Sequence, residues 1–282
     1  MKLLVTGGCG YIGSNLCNML AENHEVTALD YHTEQEFFLH PAVKVINGDA
    51  CNFNCTVRYD HIFHLAAIPR IPTSFSSPAN VIANNTQSTL QVLEIARHIE
   101  CSTTFVSSSS VYSNPFLNPY SYSKWMSEQH CRLYHELYSV EVSICRLFNV
   151  YGENHPCKAP KACVVGLFEA QKKTENILHV CGDGTQKRDF THVLDVCEGL
   201  KATIKLKGFR IVDLGFGKNY SVYDLAKMFE PQKIDFLPAR KGEGHDTLAN
   251  TTTTNQHILW NPKRSLPNYV KDFLRLKCTT IH

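Results

Sequence analysis

The stretch TGGCGYIG, residues 6–13, joins the apolar run KLLVT to the helix-compatible segment YIGSNLCNMLAEN. Gly7, Gly10 and Gly13 form a GxxGxxG triplet at that junction. Glycines are needed where a chain turns tightly out of a strand and brings its backbone close to a pyrophosphate, whose charge is met by amides at the helix N-terminus. A glycine triplet by itself carries little weight. Between a strand and a helix it predicts dinucleotide binding, and it commits the chain to a fold that opens strand, turn, helix.

The rest of the first half keeps that rhythm. EVTAL, VKVIN, HIFHLAA, TTFVS and VSICRL read as further short strands, and NTQSTLQVLEIARHIE and KWMSEQHCRLYHELYS carry helical periodicity. The alternation predicts an α/β protein, a doubly wound parallel sheet with helices on both faces. After about Gly152 the units shorten and the loops lengthen. This predicts a dinucleotide-binding domain over residues 1–152 and a smaller lobe over 153–282, with some of its segments returning to the sheet. A chain of 282 residues, 43% hydrophobic, can bury a core of that size.

Lys plus Arg is 28 and Asp plus Glu is 26, a formal charge of +2 with no long run of one sign, so no nucleic-acid partner is expected. An anionic ligand must then be met by local groups. The first apolar run is too short for a signal-peptide core or a membrane span. Twelve Cys are scattered without a CxxC pair, which predicts reduced thiols, no metal site and a cytoplasmic setting. Cys157, Cys163 and Cys181 have no partner pattern that sets them apart. His64, at the end of an apolar run, reads as a packed histidine rather than an acid or base.

Asp30 closes the second strand at the distance from the glycines where a carboxylate accepts hydrogen bonds from ribose hydroxyls. It would repel a 2′-phosphate and no Arg follows it, so NAD is expected rather than NADP. Asp49, after the third strand, either reads the adenine edge or is a loop Asp with no ligand. In PYSYSK, Tyr120 and Lys124 stand one helical turn apart and can share a face. They are either a surface pair or a base with its electrostatic partner.

The ordered set TGGCGYIG, HIFHLAA, FVSSSSVY, PYSYSK, RLFNVYG, GDGTQKRDFTHVLDV and ARKGE resembles the extended short-chain dehydrogenase/reductase superfamily. Within it the chain is similar to the NAD-dependent nucleotide-sugar epimerase/dehydratase family, of UDP-glucose 4-epimerase type, with its Rossmann-type fold and C-terminal substrate-binding lobe. The resemblance implies that Tyr120 takes a proton from a sugar hydroxyl, that Lys124 holds the nicotinamide ribose, and that Ser108 hydrogen-bonds the reacting oxygen. A tyrosine is a poor base at neutral pH, but a nearby ammonium and a cationic nicotinamide favour its phenolate. It implies further that Tyr11, Ile12, Ala50, Leu65, Ala66, Ala67 and Asn85 contact the cofactor. Ser109, Asn149, Arg188, Arg240 and Glu243 are implied on the substrate, the arginines as phosphate clamps. Family dehydratases carry acids where this chain has Ser109 and Ser110, and the missing Glu also counts against decarboxylation.

The expected activity is NAD-dependent epimerisation of a UDP-linked hexose at C4 by a homodimer. A 4-ketoreductase that consumes NAD(P)H, and a non-catalytic dinucleotide sensor, remain open at this point. The chain is shorter than usual members of the family after Asp30 and in the lobe. Arg70, in IPRIPTSF, faces either a substrate group or solvent. Thr247 falls near a position where a small side chain predicts tolerance of N-acetylhexosamines.

Overall fold

The computed structural model describes residues 1–32, 37–158 and 162–278. Six strands, with helices after β1, β4 and β5, make up the first half: β1 (Lys2–Thr6), β2 (Glu25–Asp30), β3 (Lys44–Asn47), β4 (His61–His64), β5 (Ser102–Ser108) and β6 (Val142–Leu147). A seventh, Phe209–Leu214, comes from the C-terminal half and pairs in parallel with β6. The sheet order is Phe209–Leu214, β6, β5, β4, β1, β2, β3. Strand succession therefore reverses between β1 and β4, and a crevice opens beyond the carboxyl ends of those two strands.

The helices α1 (Tyr11–Ala21), α2 (Ile71–Ser76), α3 (Pro78–Ile99), α4 (Pro119–Tyr138), α5 (Val164–Thr174) and α6 (Val193–Ala202) complete the frame. One face of the sheet buries Leu16, Cys17 and Leu20 of α1 with Val196, Cys197 and Leu200 of α6. The other buries Val92, Leu93 and Ala96 of α3 with Cys131 and Tyr134 of α4. Central β1 is covered on both sides, so Leu3, Leu4 and Val5 are all fully buried. A separate apolar cluster, including Phe168, Leu178, Phe190, Leu225 and Phe229, holds the lobe together.

Two helices begin earlier than their apolar periodicity suggests. α3 starts at Pro78, upstream of the periodic stretch that opens at Asn85, and α4 starts at Pro119 rather than at Lys124. In both, a proline occupies the first turn, where its missing N–H and fixed φ suit a helix start. Asn118 caps α4 by accepting from the Ser121 N–H at 2.7 Å, which puts Tyr120 inside the first turn. HIFHLAA is strand only as far as His64, and its last three residues form the loop over the crevice.

The eleven cysteines from Cys9 to Cys197 are free, and Cys9, Cys17, Cys101, Cys131, Cys145 and Cys197 are buried. Among the described residues, no helix is long and apolar enough to cross a membrane.

Candidate active site

A cleft of about 960 Å³ runs from the β1–α1 turn, across the carboxyl ends of β4 and β5, to the lobe. At its first end the glycines are demanded by close approach. A Cβ at Gly13 would stand 2.0 Å from the Gly7 carbonyl oxygen, and one at Gly7, whose φ is +70°, would stand 2.8 Å from the Ala66 nitrogen. The backbone is thus folded onto itself so that the start of α1 faces open space, as a pyrophosphate requires. Asp30 sits beside it, its two oxygens accepting from the N–H groups of Cys9 and His32, each at 3.1 Å. A carboxylate offers about four acceptor directions, so these bonds aim it and leave capacity for ribose hydroxyls. Gly10, Tyr11, Ile12, Asp49, Ala50, Leu65, Ala66 and Ala67 line the same end.

Asn85 does not line the cleft. It is buried, its Oδ1 accepting from the Ile68 N–H at 2.7 Å and its Nδ2 donating to the Ile68 carbonyl and to Ser123 Oγ. It positions the 65–70 loop rather than reaching a ligand. His64 is likewise spent inside the protein, between Thr6 and Thr89, and burial together with the Lys124 charge holds it down at about 3.

In the middle of the cleft Ser108 from β5 and Tyr120 from α4 stand side by side, and Lys124 lies one turn further along α4. The Lys124 ammonium is almost fully buried and donates to the Val106 carbonyl at 2.8 Å. Burial lowers it to about 8, against the pull of Cys131 and Glu128. Burial also pushes the Tyr120 phenol above its ordinary value, while the Ser108 hydrogen bond and the Arg70 guanidinium oppose that rise. Arg70, from the β4–α2 loop, is thus a cation that favours the Tyr120 phenolate. Behind the site Glu128 accepts from Ser107 Oγ and from two nitrogens of Arg146, a network that locks the end of β5 to α4.

At the lobe end Arg188 and Arg240 converge on Glu243. Arg188 Nη2 is 3.3 Å from one carboxylate oxygen and Arg240 Nη1 is 3.6 Å from the other. Arg188 is held further by the His245 and Lys187 carbonyls. The Asn118 cap donates to the Gly242 carbonyl at 2.8 Å, tying the start of the catalytic helix to this loop. Asn149 spends one amide hydrogen on the Asp189 carbonyl. Ser109 and Thr247 line the cleft, and the buried Thr247 hydroxyl has no hydrogen-bond partner among the described residues.

The sequence left Arg70 open between substrate and solvent, read Cys163 as an ordinary thiol and did not mark His155. Arg70 adopts φ 84°, a region costly for a side chain other than glycine, and lines the cleft where its charge reaches both Tyr120 and Cys163. Cys163 lines the opposite wall, with His155 and Glu169 beside it. A cysteine just ahead of a helical pattern is a weak signal for a capping thiol; nothing in the spacing pointed to His155. Cys181 lines the cleft, whereas Cys157 is exposed outside it.

A glycine cradle, an aimed acidic residue after β2 and a Ser–Tyr–Lys constellation beyond the strand ends define the class: an α/β enzyme acting with a dinucleotide. The model of the NAD dependent epimerase/dehydratase family matches residues 3–215, and the chain belongs to that family. It is 31% identical to a putative UDP-glucose 4-epimerase of Methanocaldococcus jannaschii, over 95% of this chain and 96% of the relative. It is 29% identical to UDP-glucuronic acid decarboxylase 4 of Arabidopsis thaliana, over 97% of this chain and 68% of the relative. Among solved structures, UDP-glucuronic acid 4-epimerase from Bacillus cereus, with UDP-glucuronic acid and NAD, superposes with TM-score 0.85 at 27% identity, covering 98% of this chain and 100% of that one.

Proposed function

We propose that this protein is an NAD-dependent 4-epimerase of a UDP-linked hexose. The observation that carries the reading is that Ser108, Tyr120 and Lys124 come together at the centre of a cleft with a glycine cradle at one end and two arginines at the other. NAD, when bound against Gly7, Gly10, Gly13 and Asp30, supplies an acceptor and donor of hydride. Tyr120 takes the proton from the sugar hydroxyl and returns it, and Ser108 donates to the oxygen on which charge develops. Lys124 holds its ammonium beneath them, anchored on the Val106 carbonyl. Arg188 and Arg240 exchange part of their contact with Glu243 for the diphosphate, whose paired oxygens suit guanidinium forks.

Dehydration and decarboxylation are disfavoured because Ser109 and Ser110 offer no carboxylate beside the reacting carbon. Arg70 favours a particular substrate within the 4-epimerase reading. A cation close enough to bias Tyr120 suits a sugar with an acid at C6, and a hexuronic acid is named for the Bacillus cereus neighbour. Proton NMR of the purified protein with UDP-hexoses, UDP-N-acetylhexosamines and UDP-hexuronic acids, without added cofactor, tests the reading. Accumulation of a C4 epimer supports it; turnover only of a 4-keto sugar with added NADH makes the protein a reductase. We place the homodimer contact on α4, whose Leu133, Leu137 and Tyr138 are exposed. Leu137→Lys then yields monomers in sedimentation, and a monomeric parent protein rules that contact out.

A further inference from the structure

The proposed epimerisation leaves a nucleophile unused on the lobe wall of the cleft. Cys163 is the N-cap of α5, its sulfur accepting from the Gly166 N–H at 3.4 Å. The thiol thus sits where unpaired backbone N–H groups favour an anion. His155 is pressed onto the same turn: a Cβ at Gly166 would meet its Nε2 at 2.9 Å, which requires glycine there. The ring is only 6% exposed. The Gly152 N–H donates to its Nδ1 at 3.2 Å, so the neutral imidazole carries its hydrogen on Nε2. That Nε2 is buried with no hydrogen-bond partner among the described residues, and it lies 3.4 Å from Glu169 Oε2. The other Glu169 oxygen accepts from the Tyr269 hydroxyl at 2.8 Å.

A thiol, a buried imidazole N–H and a carboxylate therefore stand together, away from Ser108, Tyr120 and Lys124. The titratable and charged groups around the sulfur are His155, Glu169, Tyr11, Tyr269 and Arg70. Both tyrosines are pushed upward by burial and stay neutral. Burial pushes the Cys163 thiol up, but His155, the Gly166 N–H and the Arg70 guanidinium outweigh it and bring the thiol below its usual value. Burial pulls His155 down, yet Cys163 and Glu169 raise it overall, against the Gly152 N–H that opposes a second ring proton.

We propose that Cys163 is a second reactive centre of the cleft, a thiolate-forming site oxidised by small hydroperoxides. The thiolate attacks one peroxide oxygen, the S–O bond forms and the O–O bond breaks. Sulfur loses two electrons to become a sulfenic acid and the peroxide gains them, its second oxygen leaving with a proton as water or alcohol. The unpartnered Nε2–H of His155 is placed to donate to that leaving oxygen. Cys163 and Arg70 line the same cleft, and an oxidised sulfur there interferes with substrate.

The test uses the whole wild-type protein, treated with iodoacetamide or with hydrogen peroxide and dimedone, and maps adducts by mass spectrometry. Cys163 should alkylate about tenfold faster than exposed Cys157 at pH 7. Dimedone should label Cys163 first, Cys163→Ser should abolish that adduct, and Cys157→Ser should leave it unchanged. Equal alkylation of the two cysteines, or dimedone labelling elsewhere, overturns the assignment. None of these readouts needs turnover. Protection of Cys163 by a UDP-hexose rests on the proposed function, so fast labelling without protection leaves the thiol standing and counts against the placement of the sugar.

Discussion

The two walls of the cleft are built in different ways. The sheet wall takes Ser108 from the end of β5 and Tyr120 and Lys124 from one turn of α4, and a buried network of Ser107, Glu128 and Arg146 ties those elements together. The lobe wall draws Arg188, Arg240, Glu243, His155 and Cys163 from loops and short elements, held by ion pairs at 3.3–3.6 Å and by backbone carbonyls. The first wall fixes reacting groups against a rigid sheet. On the proposed function, the second holds charges that change partners when a diphosphate enters. Chemistry common to many substrates belongs on the first wall and choice of substrate on the second.

The largest effects should come from the sheet wall. Tyr120→Phe is expected to lower kcat about a thousandfold, within the range for losing a positioned base, with little change in thermal stability. Lys124→Met should also abolish turnover, yet melt at the same or a higher temperature. The sign follows from burial: folding lowers Lys124 from 10.5 to about 8, so the penalty of its buried charge is fully present below about 8 and fades as pH rises. A lower melting temperature at pH 7 would show that the ammonium is a net structural support.

Intermediate effects should arise on the lobe wall and differ between its two arginines. Arg188→Ala leaves Glu243 without its closer, better shielded partner and should raise KM about 10–100-fold, with a smaller change in kcat. Arg240 is 47% exposed and longer in reach, so Arg240→Ala should raise KM only about threefold. Steady-state kinetics on both variants sharpens the contrast; equal losses would erase it. The smallest effect is a shift in pH dependence from Arg70, the group that bridges the walls. Burial raises Tyr120 and Arg70 opposes that rise, so Arg70→Met should move the rising limb of the kcat profile to higher pH. An unmoved limb would remove Arg70 from the account of the base.

The same contrast explains what could be read in the sequence. Gly7, Gly10, Gly13 and Asp30 lie at a strand-turn-helix junction, and Tyr120 and Lys124 within one helical turn, so local spacing carried their arrangement. The start of α4 at Pro119 was visible only through capping by Asn118, which shows no apolar period. Asn85 stood in a matched motif, but its amide turns inward to Ile68 and Ser123 because α3 begins earlier and buries it. Arg70 and Cys163 reach one cleft from distant segments of the chain. No periodicity links them, and their shared electrostatics emerges only when β4, α4 and α5 are packed.

The most direct test of the central claim is NMR of the turned-over UDP-hexose, labelled with deuterium at C4, incubated in ordinary water with the purified protein and no added reductant. The account predicts a C4 epimer that keeps its deuterium, because the atom removed from carbon is returned to the same sugar. Loss of the label to solvent, or no epimer until NADH and a 4-keto sugar are supplied, would contradict it.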